Sequence, residues 1–161
     1  MAVEAEVLNE LRRLRTRMPQ LTGALAASAD GLVLAQDMPK SEPEGLAALT
    51  AAALGVGRRM TDLAAGGGFR ELLVRGAGGY VATYAAGPTA VLTLLADDRV
   101  NVGRLHLEGR RSGSRIAELM TGRFPTDRPF LADRPPSSPL ERGRTLGALP
   151  IRIPPQSRHG F

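Results

Sequence analysis

The sequence predicts an α+β domain with the element order αββαβββα over residues 1–120, followed by a tail of different make-up over residues 121–161. Three observations carry this reading. Apolar residues recur at helical spacing in three segments. Short apolar runs of strand length, split by Gly, Pro and Asp-Gly turns, fill the stretches between those segments. Beyond Met120, eight of the chain's 12 prolines gather without lasting periodicity.

In the first segment Val7, Leu11, Leu14 and Met18 fall on one helical face, while Arg12, Arg13, Arg15 and Arg17 occupy the others. Pro19 ends that helix. Two apolar runs follow, residues 21–27 and 32–35, separated by Ala29-Asp30-Gly31. An Asp-Gly pair between apolar runs predicts a hairpin, because both residues accept the left-handed backbone that a tight turn needs.

Ser41 and Glu44 have the spacing of a capping box, with Pro43 in the first turn where its missing N–H costs nothing, so a second helix should begin near Glu42. Along it Leu46, Leu49, Ala53, Val56, Met60 and Leu63 form an apolar stripe. Beside that stripe Ala48, Ala52 and Gly55 form a line of small residues leading to Arg59. The helix therefore offers two contact faces. Gly55 and Gly57 each cost roughly 1 kcal/mol relative to Ala in a helix interior, which points to close packing there.

Gly66-Gly67-Gly68 closes this helix, and residues 69–75, 80–86 and 89–96 read as strands three to five. Strands four and five hold no charged residue and predict burial on both faces. Strand three carries Arg70, Glu71 and Arg75, as an edge strand can. Asn101 caps a last helix in which Val102, Leu105, Ser112, Ile116 and Leu119 share a face, with Gly122 and Pro125 stopping it. The tail has too little apolar surface to offset chain entropy and is expected to be mostly disordered, with residues 146–153 its one apolar patch.

Composition excludes several classes of function. The chain has no cysteine, so disulfides, thiolate catalysis and Cys-ligated zinc are absent, and a cytoplasmic location is expected. Glu4 and Glu6 stand where a secretory signal needs a basic start. The uncharged stretch over residues 76–96 is broken by Gly76, Gly78, Gly79, Gly87 and Pro88, so two strands explain it better than a membrane helix. The net charge of +5 sits mostly in the tail: residues 1–120 carry 14 basic and 13 acidic groups, residues 121–161 seven and three. Nucleic acid is therefore not an expected partner of the domain.

A search for catalytic chemistry finds little to work with. A hydrolase could use Ser28, Asp30 and His106, but no nucleophile-elbow spacing surrounds any serine, and the other histidine, His159, lies in the tail. Lys40 lacks the glycines of a phosphate-binding loop. Asp97 and Asp98 read as turn residues rather than cation ligands, and Tyr80 and Tyr84, on one face of strand four, as core. No catalytic residue, metal or cofactor is expected.

The element order, the hairpin Leu25-Ala26-Ala27-Ser28-Ala29-Asp30-Gly31-Leu32-Val33-Leu34 and the Ala/Leu-rich second helix resemble the Roadblock/LC7 family, its actinobacterial members in particular, over about residues 3–120. The resemblance implies a profilin-like fold whose five-stranded antiparallel sheet, ordered 2-1-5-4-3, has helices on both faces. It also implies a homodimer built by strand three, Phe69, Arg70, Glu71, Leu72, Leu73, Val74 and Arg75, and by the small line Ala48, Ala52 and Gly55. The implied function is non-enzymatic: a scaffold for a small Ras-like GTPase, whose localisation or nucleotide cycle it modulates, with Arg58, Arg59 and Asp62 at the rim of the partner site. The alternative is a small-molecule sensor on the same sheet, which a pocket of roughly 300 Å³ or more with convergent polar groups would favour.

Overall fold

A computed structural model describes residues 2–39 and 42–122. Helix α1 (Ala2–Arg17) leads into strands β1 (Leu21–Ser28) and β2 (Val33–Asp37), then helix α2 (Pro43–Leu63), strands β3 (Glu71–Gly76), β4 (Gly79–Ala86) and β5 (Ala90–Asp97), and helix α3 (Val102–Thr121). This is the expected order. The strands form one antiparallel sheet ordered β2-β1-β5-β4-β3, which places β3 at an edge. The tail beyond residue 122, its apolar patch, Pro125 and the Ser41 half of the capping box lie outside the described residues.

The sheet divides the interior in two. On one face α1 and α3 cover Ala24, Ala26, Ala82, Tyr84, Leu92 and Leu94, and the predicted stripe Val7, Leu11, Leu14 and Met18 is wholly buried among them. On the other face α2 covers a smaller cluster of Leu25, Ala27, Met38 and Val91, to which it contributes Ala47 and Leu54. Alternation along β1, with Ala24 and Ala26 facing one layer and Leu25 and Ala27 the other, explains why this uncharged strand is buried on both sides.

The first hairpin forms at Ala29-Asp30-Gly31 as expected, but only its glycine uses the left-handed backbone. Gly31 takes the left-handed region at φ 92°, and the Ser28 and Leu32 backbones close the loop. β2 runs two residues further than its apolar run, through Gln36 and Asp37, because pairing with β1 needs only backbone groups. Asp37 is then held by Arg15 of α1 at 2.9 Å, so α1 shields this edge of the sheet. At the β3–β4 turn Gly79 has φ 149° and a Cβ there would meet the Ala96 carbonyl, so only glycine fits.

Helix α2 begins with Pro43 in its first turn, but its N-cap is Glu42 and no side chain caps it. Its end comes before the triple glycine, with Ala65 in the left-handed region at φ 51°. Helix α3 is capped as expected, the Asn101 side chain accepting from the Arg104 N–H at 2.9 Å, and it ends at Gly122.

A candidate protein-interaction surface

The face of α2 that packs on the sheet is not the apolar stripe. Ala47, Thr50, Leu54 and Gly57 are buried there, whereas Leu49, Val56, Met60 and Leu63 are 59–72% exposed. The reason is steric. A Cβ on Gly57 would run into the ring of Phe69, in the segment leading into β3, so at that position only glycine fits, while Leu54 is the one large side chain of α2 that is buried. The expected line Ala48, Ala52 and Gly55 is also exposed, with nothing within 4 Å of a Cβ built on Gly55. At 3.6 residues per turn the apolar stripe and the small line lie roughly 90° apart. Both face outward.

Of the expected rim residues, Arg59 and Asp62 are exposed. Arg58 is half-buried and donates to the Pro88 carbonyl at 3.3 Å, which ties α2 to the β4–β5 turn.

Strand β3 pairs with β4 from Glu71↔Tyr84 to Gly76↔Gly79 and has no strand on its other side among the described residues. Its outer N–H and C=O groups are thus a template for another strand. The expected interface residues divide by what they touch. Val74 is 52% exposed, Arg70 and Arg75 are exposed, and Leu72 is half-buried. The other three are engaged within the chain: Phe69 packs on Gly57, Leu73 packs against the α1–α3 core, and Glu71 points to α3. The Arg75 guanidinium lies 5.6 Å over the Tyr80 ring, a cross-strand cation–π contact.

Glu71 anchors a polar cluster at this edge. Arg110 donates to both of its oxygens at 2.6 Å, and His106 Nδ1 lies 3.5 Å from Oε1 and 3.2 Å from the buried Tyr84 hydroxyl. The Arg110 hydrogen bonds hold the Glu71 carboxyl below its usual range. Burial, followed by the Glu71 charge, raises the Tyr84 hydroxyl well above the usual tyrosine value. His106 is therefore engaged with β3 and β4. Ser28 bonds to Asp30 instead, so the three residues of the weighed hydrolase do not form a relay.

Sequence reasoning missed the seam between α1 and α3. Arg17 donates to Glu108 at 3.0 Å, to Glu10 at 3.3 Å and to Ser112 at 3.3 Å, and Ser112 donates to Glu10 at 2.7 Å. Glu10 and Arg17 share a face of one helix, which the sequence could have suggested. Their partners on α3 lie about 90 residues on or more, which no local pattern signals.

Three surface recesses stand out among the described residues: about 540 Å³ along α1, about 240 Å³ between α1 and α3, and about 390 Å³ at the tip of the first hairpin beside Met120. Two exceed the size that a sensor needs. At the hairpin tip Ser28 donates to Asp30, and Glu4 and Thr89 are the other polar residues in a lining that is otherwise apolar. Among the described residues no cluster of three or more His, Asp or Glu could hold a metal, and no helix is long and apolar enough to cross a membrane.

The family model described as the Roadblock/LC7 domain matches residues 7–96. No curated protein matches the chain significantly. Similar solved structures include an MglB with tetrameric arrangement, 23% identical with a TM-score of 0.71 over 77% of this chain and 94% of that one. The gliding protein MglB of Thermus thermophilus is 24% identical with a TM-score of 0.68, covering 74% and 91% of the two chains. A Roadblock/LC7 domain from Streptomyces avermitilis is 22% identical with a TM-score of 0.66, covering 71% and 97%. At these identities the likeness is one of fold.

Proposed function

The chain belongs to the Roadblock/LC7 domain family, and from that premise we propose that it is a cytoplasmic, non-enzymatic homodimeric scaffold that docks a small Ras-like GTPase. The observation that carries this reading is the exposure of Leu49, Val56, Met60 and Leu63 along one helix. A contiguous apolar stripe of this kind marks an interaction site, and burying what remains exposed would contribute roughly 1 kcal/mol or more per side chain.

Two copies pair through β3, extending the sheet, and bring together the Ala48, Ala52 and Gly55 lines of their α2 helices. The apolar stripes then flank the two-fold axis, with Arg59 and Asp62 at the rim, and a single GTPase sits across both. The free edge of β3 supports the first contact. An MglB structure with a tetrameric arrangement supports self-association in proteins of this fold. Because switch loops change shape with nucleotide, the affinity differs between GDP and GTP forms.

Calorimetric titration with the Ras-like GTPase encoded nearest in the genome, in both nucleotide states, tests this. The expected stoichiometry is two chains per GTPase, with Arg59→Glu weakening binding and leaving the unfolding transition unchanged. Absence of binding in both states, or equal binding by the variant, removes this site; a monomer by light scattering at tens of micromolar removes the dimer.

A further inference from the structure

The layer opposite α2 has a surface of its own. Its exposed charges are Arg12, Arg13 and Arg17 from α1 and Arg104, Arg110, Arg111 and Arg115 from α3, against only Glu6 and Glu118. Helix α2 with its N-cap differs, carrying Glu42, Glu44 and Asp62 against Arg58 and Arg59. The net charge of the described domain is near neutral, so what distinguishes the α1–α3 layer is where the charge is placed.

A shallow groove of about 540 Å³ runs along α1, lined by Asn9, Arg12, Arg13, Thr16 and Arg17. All five offer N–H or O–H donors, and three are guanidiniums. Asn9 and Arg13 also line the neighbouring recess, which reaches Arg115 on α3 but includes the carboxylates of Glu6 and Glu10, so the uninterrupted donors are those of the α1 groove. Arg17 is occupied by Glu10 and Glu108, Arg110 by Glu71, Arg111 by Glu108 and Arg115 by Glu118, and Arg104 donates to the Arg17 carbonyl. Arg12 and Arg13 have no acidic partner among the described residues and remain available.

We infer that this arginine face is a peripheral docking surface for the phosphate groups of an anionic phospholipid bilayer. Phosphodiester oxygens are acceptors carrying negative charge, and guanidinium forks match them with paired hydrogen bonds. Neither α1 nor α3 contains Phe, Tyr or Trp, so bases of a single-stranded nucleic acid would find nothing to stack on. An acidic protein would need apolar anchors at the centre of the contact, and Leu107 is the one large hydrophobic of these helices left exposed among the described residues. Helices α1 and α3 pack together over one face of the sheet, so a plane of headgroups can meet the α1 groove without touching α2. The inference is independent of the GTPase reading, since it uses the opposite face of the sheet.

Co-sedimentation of the full chain with phosphatidylcholine vesicles, with and without phosphatidylglycerol, tests it. Binding is expected with phosphatidylglycerol only, and is lost at high salt. Each basic side chain at an anionic surface strengthens binding roughly fivefold, so Arg12→Glu with Arg13→Glu should weaken it by roughly 25-fold or more, with the melting curve unchanged. Arg99→Gln, in the turn before α3, should bind as the parent does. Equal binding by the double variant would place any vesicle affinity elsewhere in the chain and overturn the inference. So would absence of binding to phosphatidylglycerol vesicles, or preferential binding to an oligonucleotide at matched phosphate concentration.

Discussion

Replacing Gly55 with leucine separates what α2 does alone from what it does against a mate. In the single chain a Cβ at this position meets nothing within 4 Å, and the residue is exposed in mid-helix. Gly55→Leu should therefore stabilise the separate chain by roughly 0.8–1 kcal/mol, the difference in helix propensity. If two α2 helices meet at Gly55, each copy forces a leucine into a contact built for no side chain, at roughly 1–3 kcal/mol. Two copies meet, and the propensity gain is shared by monomer and dimer, so the dimer loses about 2–6 kcal/mol. That weakens association at least roughly 30-fold. Light scattering over a dilution series gives the dissociation constant, and urea unfolding below it gives the stability of the chain. An unchanged dissociation constant refutes Gly55 as a helix–helix contact. A less stable monomer refutes the open surroundings deduced for it.

Gly109→Ala should act in the opposite sense. Its Cβ would run into the Tyr84 ring, which is 1% exposed and cannot retreat, so overpacking should exceed the propensity gain of about 1 kcal/mol and leave the protein roughly 1–2 kcal/mol less stable in urea; a rise in midpoint would contradict this. Glu71 gives a pH-dependent prediction. Arg110 lowers its folded-state pKa below the ordinary glutamate value of 4.5, so its contribution is fully present above that value and is lost as pH falls through the lowered one. Glu71→Gln should accordingly flatten the acid limb of a stability–pH curve, and an unaltered slope would show that the Arg110 pair contributes nothing.

The elements that sequence made legible are those where pattern and packing agree. Val7, Leu11, Leu14 and Met18 repeat at helical spacing and are all fully buried. The charged strand proves to be an edge strand. Helix α2 is legible as a helix but not in its orientation, because hydrophobicity ranks Leu49 and Met60 above Ala47 and Gly57, while the buried face takes the smaller pair and the Phe69 ring leaves no room for a side chain at position 57. A rule based on transfer energy fails where steric clearance decides. The Arg17 seam and the Glu71 cluster were illegible for another reason. Each joins polar residues far apart in sequence, Arg17 to Glu108 and Glu71 to Arg110, and such pairs leave no period to detect.

The two helix layers consequently depend on the sheet to different degrees. Helix α3 buries Leu105, Ile116 and Met120 and is joined to α1 through Arg17 and to β3 through Arg110. Helix α2 is about as long, yet of its large side chains only Leu54 is buried, and Ala47, Thr50 and Gly57 make up the rest of its buried contact. Small residues remove little apolar area from water, so α2 gains correspondingly less from the single chain. Its remaining apolar area is on the outside, and the edge of β3 has no further strand among the described residues. A second surface brought against that side would supply burial to the element that has least of it, where outer backbone groups of β3 have no strand partner among the described residues. This combination favours the α2–β3 side as the proposed site of assembly over the α1–α3 side, which is already packed and linked by ion pairs.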